Sequence, residues 1–234
     1  MTETHADPAT DIEAQLPPPP VSPALSAALA ALAPVRTRVP ARAFAIVLAV
    51  GLVSVLAAVL QFGPRSDLGA LPPAWVIGMG LVWAIGGPFL VARATLPRAG
   101  SVLPDAGRAG RSAVAVALGL VFLGLVATVD APGATEVPAT FAGGFWHCAV
   151  FALRITLPVL LVGAFVLRRL HPMGAGRLAA AIGAAGGAWA GFVLHVICPL
   201  GGGAHVGLAH GGAALIGAGV GGILGATVLG RLLR

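Results

Sequence analysis

Six apolar stretches follow one another along the chain, at about 42–61, 73–92, 113–129, 145–167, 178–197 and 209–229, separated by short segments that carry most of its charge. Each is long enough for a helix to cross a hydrocarbon core of about 30 Å, which takes about 20 apolar residues. The pattern predicts an all-α fold, an integral membrane six-helix bundle over 42–234, preceded by a short N-terminal arm over 1–41. The first 20 residues hold Glu3, Asp7, Asp11 and Glu13 without Lys or Arg and end in a run of prolines at 17–20. They lack the basic opening of a signal peptide, so no cleavage and a mostly disordered start are expected. From Ser22 the pattern changes: Ser22 suits a helix cap, Pro23 suits the first turn, and Leu25, Ala28, Leu29 and Leu32 recur at i, i+3, i+4 and i+7. A short amphipathic helix ending near Pro34 is predicted, either resting on the membrane surface or docking a partner.

Composition sharpens this picture. The 234 residues are 58% hydrophobic and 9% charged, against about 25% charged in soluble domains, which excludes a large soluble catalytic domain. All 14 basic residues are arginines. Twelve lie in the arm, in the loops near 93–111 and 168–177 and at the C-terminus, while the opposite loops hold only Arg65 with Asp67, Asp130 and Glu136. The excess of arginine on one side places both termini in the cytoplasm, as expected of an inner-membrane protein. No basic cluster is interleaved with aromatic residues, so no direct nucleic-acid binding is expected.

Little in the spans points to catalysis. Glycines 183, 187 and 191 in the fifth span and 217, 221 and 225 in the sixth recur every four residues, which reads as close helix packing. Gly201, Gly202 and Gly203 follow no predicted strand, so they read as a flexible outer turn and not as a phosphate loop. Arg154 lies within the fourth span, where an unpaired charge costs about 2.5–3.5 kcal/mol at the centre of a helix. It is expected to face the bundle interior or reach outward, as a structural charge paired with Asp130 or Glu136. No paired carboxylates and no nucleophile beside a base are found, so an enzyme is not expected.

The outer ends of the spans are more informative. Cys148 starts the fourth span and Cys198 ends the fifth, both on the outer side, and neither belongs to a CxxC spacing. His147 adjoins Cys148, His195 precedes Cys198 by three residues and so shares a helical face with it, and His205 and His210 flank the start of the sixth span. Histidines five apart do not share an α-helical face as an i, i+4 pair would, so no metalloprotease pattern is formed. Thiolate and imidazole together suit a soft or borderline metal ion such as zinc, copper or cadmium, and two thiols alone can form a redox-switchable disulfide. No cofactor is required by the sequence. The bland alternative is that these histidines are interfacial and the cysteines small apolar residues.

Several local patterns, taken in order, resemble the NrsF-type membrane anti-sigma factors. Leu32-Ala33-Pro34-Val35-Arg36 resembles the opening of that family and Arg65-Ser66-Asp67-Leu68 its first outer loop. Trp146-His147-Cys148, then Pro158, then Arg168-Arg169-Leu170-His171-Pro172 resemble its fourth span and the following loop. Leu194-His195 through Cys198-Pro199 to Gly221, Gly225 and Arg231-Leu232-Leu233 continue the likeness, which covers about residues 24–234. The family usually runs His-Cys-Pro directly, whereas here Val196 and Ile197 intervene.

The resemblance implies a non-enzymatic regulator that sequesters an extracytoplasmic-function sigma factor at the inner membrane and releases it on a signal. In that reading Leu25, Leu29 and Leu32 lay an apolar face on the sigma factor and Arg36 and Arg38 meet acids at its rim. Cys148, Cys198, His147, His195, His205 and His210 form the sensing group. The alternative from another class is a small transporter or a metal/redox-binding membrane protein using the same Cys/His group.

Overall fold

The computed structural model describes residues 22–31, 40–101, 103–127, 141–168 and 174–229. Leu32, Arg36, Arg38, Asp130, Glu136 and His171 lie outside the described residues, as does the start expected to be disordered. Within the arm, α1 runs over Pro23–Ala31. The Leu25 amide donates to Ser22 Oγ at 3.2 Å, the cap that the sequence predicts, and Leu25 is exposed. The side chain of Leu29 is outside the described residues.

The second unit contains six helices long and apolar enough to cross a membrane. They are α2 (Pro40–Phe62), α3 (Pro73–Thr95), α4 (Ala106–Val126), α5 (Phe141–Arg168), α6 (Ala175–Ile197) and a composite α7. The last comprises an α turn at Gly203–His205, a π segment at Val206–Gly211, an α segment at Gly212–Leu224 and a second π segment at Gly225–Leu229. No strand occurs among the described residues. The starts of the third and sixth spans depart furthest from those read off hydropathy. The third span begins at Ala106 because Asp105 caps it, its carboxylate accepting from the Arg108 amide at 2.9 Å, which draws the Arg108–Arg111 stretch into the helix. The sixth span begins at Gly203, so the third glycine of the expected turn is already helical.

α6 occupies the middle and packs against all five other spans. Its small residues explain why. A Cβ added at Gly183 would strike the carbonyl oxygen of Gly217, one at Gly187 that of Ala213, and one at Gly221 that of Ala179. Backbone therefore meets backbone along α6 and α7, and dispersion at this closeness does the holding in a solvent as apolar as the side chains. On its other sides α6 carries Trp189, whose indole fills the space left by Gly51 of α2 and Gly87 of α3. Fully buried Trp83, Leu90, Leu160, Leu178 and Ile182 complete the interior.

Candidate functional site

At the end of the bundle where α6 stops, four donor side chains converge. Cys148 comes from the first turns of α5, Cys198 follows the last residue of α6, and His205 and His210 come from the start of α7. One ligand atom from each lies within 4.8 Å of every other. The two sulfurs are 3.9 Å apart, and His205 Nε2 is 3.4 Å from Cys148 Sγ and 3.6 Å from Cys198 Sγ. Both cysteines are free thiols. A tetrahedral ion with metal–sulfur bonds of about 2.3 Å and metal–nitrogen bonds of about 2.0–2.1 Å would set sulfurs about 3.8 Å apart and sulfur and nitrogen about 3.5 Å apart. The two sulfurs and His205 Nε2 thus already stand at the edge lengths of one face of such a tetrahedron, with a His210 ring nitrogen within 4.8 Å of each.

The π segment is what brings the two histidines together. An i→i+5 backbone ring places residues five apart on one face, and the rings of His205 and His210 meet edge to face with centroids 5.1 Å apart. Gly207 and Gly211 let α4 approach this segment closely: a Cβ at Gly211 would lie 2.7 Å from the Leu120 carbonyl oxygen, and one at Gly124 would lie 2.6 Å from Gly207 Cα. His210 is buried, and neither of its ring nitrogens has a hydrogen-bond partner in the structure. An imidazole left so costs about 1–3 kcal/mol, which a bound ion would lower by taking the lone pair of one ring nitrogen.

The other two sequence-predicted histidines are not in this group. His147 precedes Cys148 by one residue on α5 and is exposed. His195 lies one helical turn before Cys198, whose amide still donates to the Leu194 carbonyl at 2.8 Å, but the His195 ring turns to α3. Its Nε2 lies 3.1 Å from the Val76 carbonyl oxygen, and its ring sits between Trp75 and Trp83, at 4.6 Å and 5.4 Å. Trp75, Met79 and Trp83 recur every four residues on α3, a stripe that sequence reasoning passed over.

A loop staple adjoins the group. The Arg65 amide donates to the Val196 carbonyl at 2.9 Å, and its guanidinium donates to the Pro199 carbonyl at 2.9 Å and to both oxygens of Asp67 at 2.6 Å. The Arg65 guanidinium hydrogen-bonded to Asp67 holds that carboxyl below its ordinary value of 3.8. The α2–α3 loop is thereby tied to the chain on both sides of Cys198. Beside it, a cavity of about 540 Å³ opens between α2, α5 and the end of α6, with Cys148, Cys198 and Arg154 on its wall. Arg154 is exposed and has no hydrogen-bond or ion-pair partner among the described residues.

Residues 29–231 match the family model described as NrsF, negative regulator of sigma F, and the chain belongs to that family. No curated protein matches it, and no solved structure does. It is therefore a multi-pass membrane anti-sigma factor, a negative regulator of transcription whose partner is a sigma factor, and the family is one of regulators and not of enzymes.

Proposed function

We propose that this protein holds an extracytoplasmic-function sigma factor at the inner membrane and releases it when the group Cys148, Cys198, His205 and His210 captures a soft metal ion or is oxidised. The observation that carries this is the convergence of four soft or borderline donors, from three helices, within 4.8 Å. Zinc, copper(I) and cadmium all accept two thiolates and two imidazoles in a tetrahedron. Because the ligands come from α5, the end of α6 and the start of α7, one bond set at this end constrains three helices at once. A signal then acts by favouring one packing of these helices over another, by as much as its affinity differs between the two.

The arginine asymmetry supports an orientation with both termini in the cytoplasm and the Cys/His group on the outer side. The sigma factor then meets the arm, where the exposed Leu25 of α1, with Leu29 and Leu32, offers an apolar stripe flanked by Arg36 and Arg38. Tagged full-length protein in detergent, with and without residues 1–41, tests the docking half of this reading. Recovery of a sigma factor only with the intact arm is expected, and equal recovery without the arm overturns it. Adding zinc, copper(I) or cadmium to the captured complex tests the signal half. Release from the intact chain, absent in Cys198→Ser and His210→Ala, is expected. Equal response of the intact chain and both variants removes the group from signalling and favours a transporter or a metal-carrying role for this fold.

A further inference from the structure

The cavity beside the Cys/His group opens sideways. Phe62, Trp146 and Val150 on its wall are each half exposed or more, and in a bundle that spans a membrane such residues face lipid. Two walls are aromatic, with the Phe62 and Phe151 rings edge to face at 5.1 Å. Among the described residues that line it are His147, exposed near the start of α5, and the fixed charge of Arg154, ten residues beyond Gly144, where the membrane-crossing part of α5 begins. At 1.5 Å of rise per residue that is about 15 Å along the helix, although the side chain leans back toward the helix start. A lipid phosphate or carboxylate would have to sink well below the interface to reach it. A neutral ring bearing carbonyl oxygens needs no such descent, since it dissolves in hydrocarbon and accepts N–H bonds from a guanidinium.

The thiols on the same wall give that ring something to do. We propose that the cavity binds a membrane quinone, with a carbonyl oxygen on Arg154 and the ring among Phe62, Trp146 and Phe151, and that the quinone oxidises Cys148 and Cys198. Two S–H bonds break and one S–S bond forms. The two electrons and two protons pass to the quinone, where two O–H bonds form to give the quinol. His205 Nε2, at 3.4 Å and 3.6 Å from the two sulfurs, takes the first thiol proton, and the sulfurs close from 3.9 Å to a disulfide. The protein thereby reads the oxidation state of the quinone pool, and a metal ion on the same sulfurs competes with that reaction. This rests on the reading of the Cys/His group as the signal site and adds where its oxidant comes from.

The test uses the full chain in lipid nanodiscs, reduced, freed of metal with a chelator and kept anaerobic, with decylubiquinone as probe. Quinol formation is followed by ultraviolet absorbance and free thiols by a maleimide mass tag. The expected result is one quinol for each disulfide formed, none with Cys148→Ser, and suppression by prior zinc. Arg154→Gln is expected to raise the quinone concentration for half-maximal rate about tenfold, the loss of one charge-assisted hydrogen bond, while diamide still closes the disulfide at the unaltered rate. Diamide oxidation of Arg154→Gln shows that its two thiols still meet, and a monodisperse peak on size-exclusion chromatography shows that each variant is folded. Absence of quinol from an intact chain that diamide oxidises, or an unchanged quinone requirement in Arg154→Gln, overturns the proposal. Sigma-factor capture and metal-triggered release, measured on the same preparation, separate the two ideas. If they persist without quinol, only the quinone is lost; if Cys198→Ser responds like the intact chain, the signal site itself is lost.

Discussion

α2 and α6 are each 23 residues long and mostly apolar, yet 22% of the spanning part of α2 is buried and 78% of that of α6. The more hydropathic of the two is the less buried; side-chain size, not hydropathy, sets the order. α2 is built of Leu, Val and Ile, whereas α6 between Leu178 and Gly191 is almost wholly Ala and Gly. In water the larger apolar helix would take the centre, because burial of area drives folding. Lipid tails remove that drive, so the helix that lets its neighbours come nearest becomes the axis. The bulky one faces the bilayer, as Leu52, Val53, Leu56 and Leu60 do.

The sharpest way to break this contrast is to give α6 the size of α2. Gly187→Leu places a side chain into the Ala213 carbonyl of α7, and loss of monodisperse folded protein on detergent size-exclusion chromatography is expected. Trp189→Ala acts from the opposite direction. It empties the volume between Gly51 and Gly87 and should cost about 3–5 kcal/mol in a denaturant titration of the solubilised protein. A milder variant is Arg65→Ala, which frees the α2–α3 loop from Pro199 and Asp67. Because Asp67 has its pKa depressed in the folded chain, its contribution is present above the ordinary carboxyl value and is lost as pH falls through the lower folded value. Thermal stability of the intact protein should therefore decline in that acid range more steeply than that of Arg65→Ala. Smallest of all, Val53→Ala on the exposed face of α2 should shift stability by no more than about 0.5 kcal/mol.

Much of this arrangement is legible in the residues. Length and apolarity give the six spans, and the four-residue glycine spacing gives the α6–α7 seam. Helix ends are less legible, because hydropathy cannot see a cap: Asp105 starts α4 a full turn and more before its first apolar run. The Cys/His group is legible in part. The two thiols are placed at one level by counting spans. α-Helical periodicity groups His195 with Cys198, but the His195 ring is held by Val76, Trp75 and Trp83 of α3. The same periodicity sets His205 and His210 on different faces, but the backbone there is π. The first difference depends on which helix lies alongside, and the second arises where the chain departs from 3.6 residues per turn, which residue spacing does not reveal. The Arg65 staple and the Trp75–Trp83 stripe depend on which loop and which helix face α6, and hydropathy carries no information on helix order.

Over generations the α6–α7 seam can change in only one direction. Glycine is the smallest residue, so every replacement at 183, 187, 217 or 221 adds atoms where a carbonyl already stands. A core of leucines can drift, since a loss at one position can be filled from the next, but a seam of glycines has no smaller state to pass through. Compensation has to come as a paired movement of two backbones, which single substitutions do not supply. The interior of this protein is thus held by what it lacks, and the lipid-facing side chains are where its sequence is free to wander.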